Sequence, residues 1–430
     1  MKNIFKKVIV KILIWESKLV LKKYKPKIIA ITGSVGKTST KDAVFIVLSK
    51  FKKVRKSEKS FNSEIGLPLT ILGLSNAWSS PVAWLENIVR GLLLLVGKHD
   101  YPEYLILEVG VGKPGDIKKY VAPWLHPDVV VVTRFPERPV HVEFFKGLDD
   151  IIEEKSALAY ALKKDGLLIL NHDDEKVFNL HEKVGRKTVS YGENENATYR
   201  GIYPNYLEEN GKIKGMNFKL LYEGNTFPVN LPHVLGLHYM SSALIAIACA
   251  KELGCDLLSS ISYISEYKNP AGRLSIIEGV NNSTIIDDTY NSSPVALEAA
   301  LGVLKELKAK RKIAVLGDMM ELGKYTEEEH RKIGKDILGV LDIIVTVGPR
   351  AKFIADEAIE NKFKVKDVYS FDNSGTVAKF LEGIVEEGDL ILIKGSQSTR
   401  LERAVKAIMA HPEEAKNLLC RQEKEWEAKK

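Results

Sequence analysis

An α/β fold is what this sequence predicts: a central domain on a mostly parallel sheet with an added hairpin region, then a second Rossmann-like α/β domain. Three observations predict it. From Lys27 to about Tyr267, short apolar runs alternate with stretches of helical spacing, the pattern of a parallel sheet covered by helices on both faces. Residues 195–232 break that alternation. Close-set turn signals there, Glu209-Asn210-Gly211 and Glu223-Gly224-Asn225, mark antiparallel hairpins. Beyond Asn269-Pro270-Ala271-Gly272-Arg273 a second alternation begins.

Each element has its own justification. Lys27–Ile31, Tyr104–Val109, Asp128–Thr133 and Gly166–Asn171 are apolar runs of strand length. Thr40–Leu48 and Asp150–Leu162 carry apolar residues at helical spacing. Leu92–Val96 is apolar but short and reads as core. Ser241–Ala248 is a small-residue helix suited to close packing. In the second domain the strands are Ser283–Asp287, Lys312–Leu316, Asp342–Val347 and Asp389–Ile393. The stretch from Glu413 to Lys430 reads as a charged, frayed helix. The expected organisation is a basic amphipathic helix over 1–26, a central domain over 27–268 and a C-terminal domain over 269–430.

Composition narrows the functional classes. With 45% hydrophobic and 28% charged residues, the 430-residue chain is of ordinary globular type. Its three cysteines, Cys249, Cys255 and Cys420, have neither metal-ligand nor pairing spacing, which fits a reducing cytoplasm. Cys249 reads as a small core residue. The net charge of +7 is concentrated at the start: residues 1–27 hold nine lysines and one acid, Glu16. The remainder is near neutral, so a nucleic-acid-binding surface is not indicated. Ile12-Leu13-Ile14-Trp15 is the longest lysine-free apolar run of this segment, too short to span a bilayer. Two readings stay open: a helix docked on the body, or one resting on an anionic membrane surface with Trp15 at the interface.

The strongest motif is Thr32-Gly33-Ser34-Val35-Gly36-Lys37-Thr38-Ser39, set between a strand and a helix. Glycines let backbone N–H groups close on phosphate oxygens, and the helix N-terminus adds positive potential. Lys37 would reach the β- and γ-phosphates, and the Thr38 hydroxyl would hold Mg²⁺. Only Ser34 and Val35 separate the first glycine from Gly36-Lys37, two fewer residues than the common phosphate-loop spacing. The motif says nucleoside triphosphate; it does not say what the cleavage drives.

Other polar residues gather at strand ends, where open α/β sheets bind ligands. Glu108 lies within the strand that ends Leu107-Glu108-Val109-Gly110, with glycines following. His141 follows the Asp128–Thr133 run. Lys155 lies on the Asp150–Leu162 helix, where solvation or pairing with Glu154 is the plain reading. The second domain offers Arg273, the run Asp287-Asp288-Thr289-Tyr290-Asn291, the loop Gly317–Gly323 and Lys394-Gly395-Ser396.

Read together, these residues resemble the ATP-dependent Mur ligases, closest to the MurF type. The matching runs are TGSVGKTS (32–39), FNSEIGLPLT (61–70), LEVGVGKPGDI (107–117), HVEFF (141–145), EEKSAL (153–158), NHDD (171–174), GLHYMSSALIA (236–246), AGRL (271–274), DDTYNSSP (287–294), GDMMELG (317–323) and KGSQSTRLER (394–403). The resemblance implies ATP and Mg²⁺ as cofactors. It also implies a carboxylate-bearing cell-wall peptide precursor, joined through an acyl phosphate to an amino acid or to D-alanyl-D-alanine. It places Thr38 and Glu108 on one metal, and His141 and a carbamylated Lys155 on another. Arg273 and Asp288 would contact the nucleotide, and Asn62, Asn291, Lys394 and Ser396 the substrate.

Departures bear on detail. Tyr239 and Ser242 stand where the family has asparagine, Gln397 replaces an arginine, and Ala157 stands where an acid often follows the lysine. Only 26 residues precede the first strand, too few for the UDP-sugar domain such ligases usually carry. The acyl donor is left open between a UDP-muramoyl peptide and another carboxylate, such as a folate or a polyamide. An ATP-binding subunit needing a protein partner to supply ammonia is a further alternative. The expected place is the cytoplasm, at the inner membrane surface if residues 1–26 rest on it.

Overall fold

The computed structural model describes residues 2–58, 61–77, 80–135, 144–209, 212–422 and 426. Contacts divide the chain into two compact units. The first comprises Met1–Pro204, Asn217–Asn230 and His238–Tyr267; the second comprises Asn205–Met216, Leu231–Leu237 and Lys268–Lys430.

The first part of the chain runs α1 (Lys2–Tyr24), β1 (Lys27–Thr32), α2 (Lys37–Leu48), β2 (Val54–Lys56), α3 (Gly66–Leu72), α4 (Pro81–Leu93), β3 (Tyr104–Glu108) and β4 (Val129–Val132). It continues through α5 (Leu148–Tyr160), β5 (Leu167–Asn171), α6 (Glu175–Phe178), α7 (Leu180–Val184) and β6 (Lys187–Gly192). The strands β7 (Tyr199–Glu209), β8 (Lys212–Tyr222) and β9 (Asn225–Pro232) follow, then α8 (Tyr239–Glu252) and α9 (Leu257–Ile264). The sheet order is β2-β3-β1-β4-β5-β6-β7-β8-β9. From β2 to β7 the strands pair in parallel. Strands β7, β8 and β9 are joined by two-residue connections, which only antiparallel neighbours allow. The expected hairpin region is therefore present.

Every residue of β4 is buried, as a strand covered on both faces requires. α8 packs on α2 through small side chains, with Ser242 Oγ 3.3 Å from Thr40 Oγ1 and both residues buried. Tyr239 is buried at the start of the same helix. Cys249 is fully buried there, as its setting predicts.

One expectation is corrected in part in this unit, and of the two open readings of the N-terminal helix the docked one is observed. Leu92–Val96 is core only in part: Leu94 and Leu95 pack half-buried against the central cluster. Leu92 is 40% exposed, Leu93 54% and Val96 68%, because α4 turns its buried face through Trp84, Asn87 and Gly91 instead. α1 docks on the body: Ile9, Leu13 and Val20 share a buried cluster with Leu67, Leu69 and Trp84, each such burial contributing about 2 kcal/mol.

Docking α1 buries Glu16 completely, with neither carboxylate oxygen hydrogen-bonded among the described residues. Its carboxylate lies over Gly91 of α4, where a Cβ would collide with it. Burial pushes the Glu16 carboxyl up from 4.5 to about 7. A carboxyl raised on folding contributes stability that is fully present below pH 4.5 and is lost as pH rises through about 7. Glu16→Gln should therefore match the parent near pH 4.5 and exceed it by about 3 kcal/mol at pH 8. Chemical denaturation at several pH values reads that difference; one constant across the range would contradict it.

The second unit carries β10 (Ser275–Glu278), β11 (Thr284–Asp288), α10 (Pro294–Glu306), β12 (Arg311–Gly317), α11 (Thr326–Asp336), β13 (Ile343–Val347) and α12 (Lys352–Glu360). After these come β14 (Val368–Phe371), α13 (Ser374–Ile384), β15 (Asp389–Lys394), α14 (Glu402–Ile408) and α15 (Ala415–Leu418). The sheet order is β10-β11-β15-β12-β13-β14, parallel except for the edge strand β10. The expected frayed helix over 413–430 is corrected over its first part: α15 ends at Leu418, and the buried Arg421 is fastened to the body, while 423–425 and 427–430 lie outside the described residues. Arg421 donates to Glu402 at 2.9 Å and to the carbonyls of Thr289 and Tyr290.

Candidate active site

The glycine loop joins the carboxyl end of β1 to the N-terminus of α2. Gly33 (φ 140°) and Gly36 (φ 80°) take backbone angles that L side chains rarely adopt. A Cβ on Gly33 would also overlap the Thr133 hydroxyl. That hydroxyl donates to the Val35 carbonyl at 2.7 Å, and Ser34 N–H donates to the Arg134 carbonyl at 2.7 Å. The loop is thus pinned to the end of β4. α2 begins at Lys37, so the first N–H groups of α2, from Lys37 through Thr38 and Ser39, lack intrahelical acceptors and suit an anion.

Three cationic or acidic side chains converge on this loop. Lys37 Nζ donates to the carbonyls of Gly33 and Ser34, both at 3.0 Å. Lys155 Nζ donates to the same Gly33 carbonyl at 2.7 Å. Glu108, at the end of β3, accepts from the Thr38 hydroxyl at 3.1 and 3.2 Å. Asn62 Nδ2 donates to Glu108 at 3.4 Å. Lys37, Ser34, Asn62 and Lys155 line one cavity of about 410 Å³, together with Gly110, Asp116 and Ile151. The sequence-predicted residues of this unit are therefore brought together, except His141, which lies outside the described residues.

Lys155 is neither solvated nor paired with Glu154; that plain reading is corrected. Lys155 is 5% exposed. Glu154 is buried beside it and spends its carboxylate on the backbone N–H groups of Gly115, Ile117 and Lys118, at 2.7–2.9 Å. It thereby fixes the loop that follows β3. Burial, and next the Lys37 cation, lower the Lys155 amine from 10.5 to about 7. The free amine is thus well populated near neutral pH.

Sequence reasoning missed Lys41 and Thr133. Lys41 lies one turn beyond Lys37, almost fully buried, with Nζ 3.6 Å from Glu108 Oε2. Its spacing of four from Lys37 on one helix face was the available signal. Thr133 was visible as a strand-end residue beside the loop.

In the second unit, Lys394 and Asp288 form a buried ion pair at 2.6 Å, and Lys394 also donates to the Asn291 carbonyl at 3.0 Å. Arg273 stacks over the Tyr290 ring at 4.4 Å. Ser396 Oγ accepts from Met320 N–H at 3.0 Å, which joins it to the Gly317–Gly323 loop. A cavity of about 490 Å³ opens at the carboxyl ends of these strands. Asp318, Asn373, Ser374, Thr399, Arg400 and Arg403 line it. Of that lining, Asp318 lies in the glycine-rich loop and Thr399, Arg400 and Arg403 in the run 394–403 noted in the sequence, without a role assigned to them; Asn373 and Ser374 were missed. His330 was also missed: fully buried, it accepts from Met319 N–H at 3.0 Å and holds the same loop.

The model of the Mur ligase middle domain matches residues 31–250, and that of the Mur ligase glutamate ligase domain matches residues 272–397. The chain belongs to the Mur ligase family. This Mur ligase is an ATP-dependent enzyme that forms amide bonds. It is 30% identical over 398 residues to the UDP-N-acetylmuramoyl-tripeptide–D-alanyl-D-alanine ligase of Bacillus subtilis, covering 92% of this chain and 79% of that protein. A MurF ligase from Thermotoga maritima in complex with ADP has a TM-score of 0.74 at 25% identity, covering 95% of this Mur ligase and 84% of that chain. MurF from Acinetobacter baumannii has the same fold, with a TM-score of 0.74 at 24% identity, covering 91% and 78%.

Proposed function

We propose that this Mur ligase joins D-alanyl-D-alanine, or a single amino acid, to the peptide carboxylate of a peptidoglycan precursor in the cytoplasm. The observation that carries this reading is that Lys37 and Lys155 line one cavity and both bond the Gly33 carbonyl of the glycine loop, while Thr38, next to Lys37, bonds Glu108 at the end of β3. In domain terms, 27–268 is the ATP-binding part, 269–430 the acceptor part and 1–26 an added helix that contacts the membrane surface peripherally.

A carboxylate resists attack by an amine because oxide is a poor leaving group. The donor carboxylate oxygen first attacks the γ-phosphorus of ATP, and ADP leaves. The acceptor amine then attacks the acyl carbon, loses a proton, and expels phosphate. The loop N–H groups hold the triphosphate, and Lys37 turns from the Gly33 and Ser34 carbonyls to the transferred phosphoryl oxygens. Stabilising charge that develops only in the transition state is what lowers the barrier.

Magnesium fits the Thr38–Glu108 pair, whose donors are a hydroxyl and a carboxylate, the hard oxygen ligands that ion takes. Bound there, it would neutralise charge on the nucleotide phosphates. A second ion would need His141 and Lys155, and an amine is a poor magnesium ligand. The depressed Lys155 amine supports the remedy: the free amine attacks carbon dioxide, a C–N bond forms, a proton is released, and an anionic oxygen donor results. In the second unit, the Arg403-lined cavity at the start of α13 suits the acceptor's carboxylate.

A screen of donor–acceptor pairs for ADP release tests the reading. UDP-muramoyl tripeptide with D-alanyl-D-alanine should give the highest rate, and sustained ADP release beyond a single turnover should need both. Sustained release without a donor, release with a folate and glutamate only, or product only when a partner supplies ammonia would overturn it.

A further inference from the structure

Exposed apolar side chains are not evenly spread over this chain. Of twenty large hydrophobic residues exposed among the described residues, eight lie on α1, on α4 or just beyond α4. On α4 they are Val82, Leu85, Val89, Leu92 and Leu93, followed by Val96. Spacings of three and four make these one stripe along a helix of 13 residues, about 20 Å long. The opposite face buries Trp84, Asn87 and Gly91.

α1 lies beside it. Its exposed ridge is Val8, Lys11, Trp15, Lys18 and Lys22, at spacings of three, four, three and four. The only acid of α1, Glu16, is buried against α4, so the only charges on the ridge are those of its three lysines. The ends of the two helices are tied together. Lys23 Nζ donates to the Leu94 carbonyl at 2.9 Å and Tyr24 hydroxyl to the same carbonyl at 2.8 Å. Glu86, exposed on α4, is ion-paired with Arg90 at 2.5 Å and adds no net charge. No helix among the described residues is long and apolar enough to cross a membrane.

We infer that the α4 stripe inserts into the interface of an anionic phospholipid bilayer, with the α1 ridge supplying headgroup contacts. The structure thus puts the apolar anchor on α4, where the N-terminal segment alone offers mostly charge. Charge complementarity decides the occupant. A helix lying in the plane of the bilayer needs an apolar stripe flanked by lysine and tryptophan, and both are present. Each lysine near such a surface contributes about 1 kcal/mol. A protein interface of this size would instead deplete lysine around its apolar centre.

Co-sedimentation of the full chain with vesicles tests this without reference to ATP, so its failure is separate from failure of the ligase reading. Binding to phosphatidylcholine vesicles containing phosphatidylglycerol should exceed binding to pure phosphatidylcholine by about tenfold or more, and weaken as salt is raised. Leu85→Glu with Leu92→Glu should lower that binding by about tenfold or more. Their side chains are 63% and 40% exposed, so the thermal melt should be unchanged. Lys11→Glu with Lys18→Glu should also lower binding and reduce its salt dependence. Absence of binding to the anionic vesicles would overturn the inference, as would binding that survives the leucine changes. So would a concentration-dependent dimer in sedimentation velocity that the leucine changes dissolve, since the face would then belong to a second copy.

Discussion

Lys37→Ala is expected to lower ATP turnover by about a hundredfold or more while the fold persists. Lys37 Nζ donates to the loop carbonyls of Gly33 and Ser34, and the loop keeps its Thr133 and Arg134 anchors without it. Removing one charged contact to the transferred phosphoryl group raises a barrier by about 3 kcal/mol or more. Steady-state ADP release and a thermal melt are the two measurements. Near-parental turnover would remove the phosphate-loop assignment.

Lys155 carries the second large effect. Lys155→Ala should lose ligation almost entirely while keeping most of its ATP affinity, because Lys37, Thr38 and the loop backbone remain. Short carboxylates in the buffer should restore part of the rate by filling the vacated anionic position. Lys155→Arg should stay inactive, since a guanidinium keeps its charge and forms no carbamate. The pH dependence follows from the lowered amine. Below about 7 the Lys155 amine is protonated and cannot hold carbon dioxide, so the parent rate should fall on the acid side. The carboxylate-rescued Lys155→Ala variant should lack that particular limb. Parental activity in Lys155→Arg would return Lys155 to a structural role.

Why this pair of lysines matters was only partly legible in the chain. The glycine loop declares itself because its chemistry is local: strand, turn, Gly36-Lys37-Thr38 and helix are contiguous. Glu108 was readable as a strand-end acid. Lys155 was not, since a lysine on an amphipathic helix is ordinarily solvated, and its burial depends on where α5 crosses the end of β1. Only the family motif singled it out. Strands β2, β10 and β14 were missed because they are short and mostly part-buried, and β6, buried over its last four residues, because Thr188, Ser190 and Gly192 interrupt its apolar run. Leu92–Val96 misled in part, for the opposite reason. An apolar run announces itself in sequence, but whether it faces the core or the outside is settled by Trp84, Asn87 and Gly91 taking the inner face of α4. The cavity of the second unit was hidden because its lining comes from several strand ends far apart in the chain, from Asp318 to Arg403.

The central claim is that ATP activates a carboxylate before the amine arrives. It is tested most directly by supplying the acyl donor with oxygen-18 in its carboxylate and analysing the released phosphate by mass spectrometry. Activation as an acyl phosphate moves one labelled oxygen into each phosphate formed, in step with the amide product. Phosphate free of label, released at the rate of ADP, would show that this chain cleaves ATP by water attack and would contradict the account.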